Sequence, residues 1–203
     1  MTERKQRSCV TTKRGDAGKT RTLGGEAVSK GALVIECTGA VDTLRARTAL
    51  LRLRLLEQRP EDTETAAFLF WLLHACFAAG AAISDFRNRH PEYRKTDIGP
   101  EHIARVETEQ ARLEATLDLP KAFIVSASNL LAAEADLTAT VVRTLERNLV
   151  RLHESEPEFS CKHLLTFLNR LSDYCFILGR YLEDGHHQAV DYGLLDAGAE
   201  GGA

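Results

Sequence analysis

Asn169 and Asp173 stand four residues apart in the stretch Phe167-Leu168-Asn169-Arg170-Leu171-Ser172-Asp173-Tyr174-Cys175-Phe176. Leu164, Leu168, Leu171, Cys175 and Leu178 recur around them at three- and four-residue steps, which predicts one amphipathic helix. That spacing stacks an amide and a carboxylate on one face beside the apolar stripe. Polar groups so close to a packed face need partners. The residues alone therefore leave two readings: a partly buried hydrogen-bonded pair that sets helix register, or part of a ligand site. A second candidate is Gly15-Asp16-Ala17-Gly18-Lys19-Thr20, where exposed backbone N–H groups can converge on an anion. Lys13, Arg14, Lys19 and Lys30 supply counter-charge. It is not a P-loop, which needs a glycine where Lys13 stands, and its residue types fit either a phosphate loop or a plain leader. Third, Arg143 and Arg147 share a helix face with Glu146 beside them, as an anion site or a salt-bridged surface would. No Ser/His/Asp or Cys/His set can be placed, so covalent catalysis by a side chain has no support.

Long amphipathic stretches and only five prolines predict an all-α protein. Residues 10–35 lack helical period and hold Gly15, Gly18, Gly24, Gly25 and Gly31, so they read as a long loop with a short strand near Leu33–Ile35. Five helices follow, over about 39–58, 64–83, 100–117, 128–154 and 160–182, and short connections make them an antiparallel bundle. The second is apolar nearly all round (Phe68, Phe70, Trp71, Leu72, Leu73, Phe77), as a central helix is, and His74 within it reads as a satisfied core histidine. On the first, Arg45 and Arg52 share one azimuth and Arg47 and Arg54 nearly the opposite one, which suits packing on several sides, a subunit interface included. The chain thus divides into a loop segment (1–38), the bundle (39–185) and a small, polar tail (186–203) expected to fray.

At 203 residues one domain with a well-buried core is expected. A net charge of −3 gives no reason to expect nucleic acid or an anionic membrane as partner. No apolar run reads as long enough to span a bilayer, and the polar first residues read as neither signal peptide nor anchor. The five cysteines are odd in number and widely spaced, so neither a disulfide framework nor a metal site is expected. Free thiols point to the cytoplasm. His186-His187 reads as solvated rather than ligating.

Three separated segments together carry a resemblance. Thr12-Lys13-Arg14-Gly15-Asp16-Ala17-Gly18-Lys19-Thr20, then Gly24-Gly25-Glu26 and Ser29-Lys30, resembles the nucleotide loop of the propanediol-utilisation type of ATP:cob(I)alamin adenosyltransferase, T-x-x-G-D-x-G-x-T followed by G-x-x-x-x-K. Glu36-Cys37-Thr38-Gly39-Ala40-Val41-Asp42-Thr43-Leu44 resembles that family's E-x-Y-G-x-x-D-E-L helix start. Phe167 to Tyr174, followed by Gly179-Arg180-Tyr181, is close to its F-L-N-R-L-S-D-Y-L-F…A-R-Y. The order and spacing match over about residues 10–182.

The resemblance implies a five-helix bundle, commonly trimeric, with active sites between subunits, binding ATP with Mg2+ and taking cobalamin as substrate. It implies that Thr12, Lys13, Gly15, Asp16, Thr20 and Lys30 hold the triphosphate, with Arg143, Glu146, Arg147 and Asn169 completing the site from the bundle. Phe123 aligns with an aromatic that closes the lower corrin face, and Asp173 with a carboxylate near cobalt. The resemblance further implies that cob(II)alamin binds with its lower ligand displaced, is reduced to Co(I), and attacks C5′ of ATP to release triphosphate. An electron donor and an adenosylcobalamin-dependent enzyme are the implied further partners. Such chemistry needs positioning, neutralisation of the leaving group and exclusion of water rather than a protein nucleophile. This chain departs from the pattern in three places. Val125-Ser126-Ala127-Ser128-Asn129 replaces a loop with proline and two glycines, Asp136 stands where the family has histidine, and Ala139 where it has the arginine that pairs with Asp42. Arg45, three residues along, is then the candidate cation for Asp42. These departures motivate an alternative, an ATP-binding trimer of the same fold that carries or senses cobalamin or uses another nucleophile.

Overall fold

The computed structural model describes residues 13–196. A two-stranded antiparallel hairpin comes first, β1 (Lys19–Arg21) and β2 (Ala27–Ser29), with Thr20 opposite Val28. Five long helices follow: α1 (Leu33–Gln58), α2 (Thr63–Ser84), α3 (Pro100–Glu114), α4 (Leu130–Ser155) and α5 (Lys162–Leu182). Two further strands, β3 (Ile124–Val125) and β4 (Gln188–Ala189), pair antiparallel before a short α6 (Gly193–Asp196). Packed neighbours run α2–α1–α4–α5–α3 around the bundle. Rings of α2 reach α5 across the middle, Phe68 against Tyr174 at 4.6 Å and Trp71 against Phe167 at 6.4 Å.

Three sequence expectations change here. The strand near Leu33–Ile35 is instead the first turn of α1. Val34, Cys37, Val41 and Leu44 form one buried stripe, and its burial outweighs the β preference of Leu33-Val34-Ile35 and the roughly 1 kcal/mol cost of Gly39 in a helix. The glycine-rich segment pairs as a hairpin rather than remaining a loop throughout. The segment after Glu183 does not simply fray, because Val190 N–H donates to the Phe123 carbonyl at 2.8 Å and β4 pairs with β3. Caps set other boundaries as residue types dictate. Asp62 accepts the Thr65 N–H at 3.2 Å to open α2, and Asn129 the Ala132 N–H at 2.9 Å to open α4.

Helix α2 is long and apolar enough to cross a membrane by length and composition, contrary to the sequence expectation. Its stripe of Phe68, Leu69, Leu72, Cys76 and Ile83 is buried in the bundle. Its other face is not, since Phe70 is 49% and Phe77 61% exposed. His74 lies on that outer face, exposed, with Nδ1 2.9 Å from the Phe70 carbonyl, and is not a core histidine.

Arg180 fixes how α4 and α5 meet. Its guanidinium, 1% exposed, lies 2.9 Å from Asp136 Oδ2 and 2.9 Å from Glu183 Oε2. Glu183 Oε1 in turn accepts the Ser128 N–H at 2.6 Å. Gly179 gives the close approach: a Cβ there would stand 2.8 Å from Asp136 Oδ1 and 3.6 Å from the Ala132 carbonyl oxygen. Buried carboxylates deprived of their cation are strongly destabilising. Arg180→Met is therefore expected to cost about 3–5 kcal/mol in urea denaturation, and Arg180→Lys to recover part of it.

Candidate active site

The nucleotide-loop residues converge at the open end of the hairpin. Lys13 adopts φ 59° and begins a turn in which the Gly18 N–H donates to the Gly15 carbonyl at 3.2 Å. Lys30 N–H then donates to the Gly18 carbonyl at 2.8 Å, drawing the end of β2 onto the turn. The Lys30 ammonium lies over Gly15, where a Cβ would stand 2.8 Å from its Nζ. Lys13, Asp16 and Lys30 are exposed and Thr20 is half-buried. Thr12 lies outside the described residues.

The bundle residues assemble through the register that Arg180 imposes. Seven residues on from Asp136 is Arg143, and seven back from Arg180 is Asp173. Seven residues are two helical turns, so in an antiparallel pair Arg143 and Asp173 lie at the same level and keep the azimuths of the ion pair. Four residues further along each helix, Arg147 and Asn169 are level by the same count. Arg143 and Asp173 share a concavity of about 530 Å³ whose wall also includes Glu114, Asp136, Ala139 and Phe176. Asp173 and Arg143 are exposed, and among the described residues neither has an ion-pair or hydrogen-bond partner.

The partly buried Asn169–Asp173 pair does not exist. Both side chains are exposed, and Asn169 Oδ1 accepts from Arg170 Nη1 at 2.7 Å. Helix register is set by Asp136, Arg180 and Glu183 instead; Arg180 and Glu183 are three apart, but the Asp136–Arg180 pair spans 44 positions and no local spacing announces it. Glu146 is half-buried, and Arg147 Nη2 donates to Thr144 Oγ1 at 3.0 Å. Phe123 is not in the concavity wall. It is 79% exposed beside the β3–β4 pair, three residues before Ser126, which is in the wall. Asp42 pairs with Arg45 at 2.9 Å, as its family partner's replacement by Ala139 suggested.

Within one chain the two halves stay separate. No hydrogen bond or ion pair among the described residues joins Lys13, Gly15, Asp16, Thr20 or Lys30 to Arg143, Glu146, Arg147 or Asn169. The hairpin tip is held at the bundle end, where Arg87 bridges Glu26 to Glu156. From Glu156, Arg143 lies roughly 20 Å back along α4. Among the described residues the free cysteines are buried, and burial pushes the Cys37 and Cys76 thiols up to about 12.

Residues 10–182 match the family described as cobalamin adenosyltransferase. The chain belongs to the cobalamin adenosyltransferase family. It is 34% identical over 176 residues to a cobalamin adenosyltransferase of Cupriavidus metallidurans, covering 86% of this chain and 88% of that one. A corrinoid adenosyltransferase of Bacillus subtilis is 32% identical over 172 residues, 83% of either chain. The fold matches a variant of the PduO-type ATP:corrinoid adenosyltransferase of Lactobacillus reuteri, complexed with cobalamin and ATP, with a TM-score of 0.80 at 22% identity. That match covers 90% of this chain and 97% of the other. Membership makes this protein a cobalamin adenosyltransferase, a transferase.

In this adenosyltransferase, burial pushes the Asp136 carboxyl up from its ordinary value, against the hydrogen bond and charge of Arg180, and Glu183 adds to the rise. The native state therefore binds more protons than the unfolded chain between the ordinary and the raised value. Stability from this group is present below that window and lost as pH rises through it. Asp136→Asn cannot titrate, so its urea midpoint should gain on that of the wild type as pH is raised from about 4 toward neutrality.

Proposed function

We propose that this protein transfers the 5′-deoxyadenosyl group of ATP to the Co(I) ion of a corrinoid and releases triphosphate. The observation that carries the assignment is the near full-length family match, joined to a loop that places Lys30 over Gly15 and a concavity that holds Arg143 and Asp173 level. The cobalt ion brings the electron pair that forms the Co–C5′ bond, and the C5′–O bond breaks with its pair leaving on triphosphate. One electron from a separate donor first reduces the bound cob(II)alamin. An adenosylcobalamin-dependent enzyme would consume the product.

In this reading Thr12, Lys13, Gly15, Asp16, Thr20 and Lys30 hold the phosphates by backbone N–H groups and ammonium charge. Arg143 and Arg147 neutralise charge on the leaving triphosphate, with Glu146 and Asn169 beside them. Asp173 borders the corrinoid pocket, and Phe123, on the exposed β3–β4 pair, closes it from below. Mg2+ would enter with the triphosphate, because it keeps most of its waters and needs no dedicated cage. Among the described residues no cluster of three or more His, Cys, Asp or Glu side chains forms such a cage.

The separation of the two halves supports a homotrimer in which one chain's loop meets its neighbour's α4 and α5. An apolar outer face suits that assembly. Phe77, Phe70 and Leu53 are 61%, 49% and 61% exposed, and Arg45 and Arg52 stack on the two rings at 4.6 and 4.8 Å. The protein would act in the cytoplasm, where its buried cysteines stay reduced, with neither nucleic acid nor membrane as partner. Phe77→Asp is expected to lower the mass read by light scattering about threefold, from trimer to monomer.

The activity test mixes protein, MgATP and chemically reduced cobalamin and follows the alkylcobalamin spectrum. Adenosylation is expected, with Arg143→Ala lowering kcat about a hundredfold. Intact MgATP binding without adenosylation under strong reduction would instead support the non-catalytic relative, the reading that the departures at Ala139 and in the 125–129 loop motivate.

A further inference from the structure

We infer that Glu26 and Arg87 are positioning residues for ATP: together with Arg89 they anchor the hairpin that carries the nucleotide loop. This rests on the assignment of residues 13–30 to ATP. The hairpin tip is stitched to itself, with Thr22 N–H donating to the Glu26 carbonyl at 2.9 Å and Glu26 N–H to Thr22 Oγ1 at 3.2 Å. It is also docked on the end of α2. Leu23 N–H donates to Ser84 Oγ at 2.8 Å and Gly24 N–H to the Ser84 carbonyl at 3.3 Å. A Cβ on Gly24 would stand 2.7 Å from Asp85 Oδ1, so only glycine fits this approach.

The charged part of the anchor is Glu26, whose side chain is 10% exposed. Its Oε1 lies 2.9 Å from Arg87 Nη1 and 2.8 Å from Arg89 Nη2. Arg87 then grips Glu156 at the end of α4, Nη2 to Oε1 at 2.6 Å and Nε to Oε2 at 3.3 Å. One guanidinium thus joins the hairpin, the α2–α3 connection and α4 through charge-assisted hydrogen bonds. Asp85, 1% exposed, stiffens the same connection by accepting the Arg89 N–H at 2.8 Å and the His90 N–H at 3.1 Å.

A two-stranded hairpin has little stability of its own, so its placement comes from what holds its tip. The triphosphate residues Lys13, Gly15 and Lys30 lie at the opposite, open end. Tip and open end are two ends of one short ladder, so an anchored tip leaves the open end preorganised. A loosened tip makes nucleotide affinity fall by the fraction of time the loop is in place. Loss of the anchor should therefore act on ATP and not on the corrinoid.

MgATP affinity measured by calorimetry without corrinoid tests this in wild type, Glu26→Gln, Arg87→Gln and the double variant. Each single variant should bind about tenfold more weakly, and the double variant little worse than either, because the pair acts as a unit. The kcat at saturating ATP and the KM for corrinoid should stay within about twofold of wild type. Glu156→Gln breaks only the α4 side of the bridge and should weaken MgATP less than Glu26→Gln. Wild-type binding with variants that bind MgATP equally well overturns the positioning role alone. So does a loss shared equally by both substrates together with thermal stability, which marks a merely structural network. Wild-type protein that binds no MgATP overturns the functional reading itself, and this inference with it.

Discussion

A guanidinium held between two carboxylates sets the geometry of this bundle. Arg180 is almost wholly buried, with Asp136 on α4 on one side and Glu183 at the end of α5 on the other. An apolar stripe such as Leu164, Leu168, Leu171, Cys175 and Leu178 packs nearly as well after a slip of one turn, since its period is the helix's own. The triad does not survive such a slip, which would leave desolvated charges without partners. Its contribution is therefore less to net stability than to the choice of one register. A slip of one turn is about 5.4 Å, enough to carry Arg143 off the level of Asp173 and dissolve the concavity they share.

Both ends of the bundle are tied by an arginine, and Arg143 and Asp173 lie between the ties. At the end where α5 stops, its Leu182 carbonyl accepts both Arg59 Nη2 at 2.7 Å and Asn129 Nδ2 at 2.9 Å, satisfying an acceptor that a helix terminus leaves open. Positive charge there also suits the helix dipole. At the other end Arg87 spans Glu26 and Glu156. The middle carries what chemistry needs, with Arg143 and Asp173 exposed on a scaffold that cannot shift at either end. Positioned charge of this kind suits a reaction whose nucleophile comes with the substrate.

Periodicity made α2 to α5 legible to within a few residues, and in the structure Asp62 and Asn129 cap α2 and α4 in the way their types dictate. The start of α1 was hidden by Leu33-Val34-Ile35, whose β preference yields only once their burial against other helices is known. His74 and Phe77 illustrate the same limit from the other side. An all-round apolar pattern says that a helix meets several neighbours, but not which face waits for another chain. Asn169 and Asp173 were correctly placed on one face, and the motif around them named the family. Their exposure was not legible, because it depends on which face of α5 packs on α4 and α3. The Glu26–Arg87 and Asp136–Arg180 partnerships join residues 61 and 44 positions apart, where local spacing carries no signal.

The departures from the family pattern also look different once their neighbours are known. A residue with a Cβ at 179, where the pattern has alanine, would stand 2.8 Å from the Asp136 carboxylate. Aspartate at 136 and glycine at 179 are thus sterically linked, and Arg180 beside them supplies the cation. Loss of the arginine at 139 has a counterpart as well. Asp42 is two-thirds exposed and meets Arg45 on its own helix, so no buried carboxylate is left unpaired. Decay by drift would leave orphaned charges and gaps, each at a cost in stability. Here Asp136 and Asp42 are matched by partners, and the wall still presents Arg143 and Asp173. That pattern is what a site adjusted to its corrinoid would leave, more than one that has been abandoned.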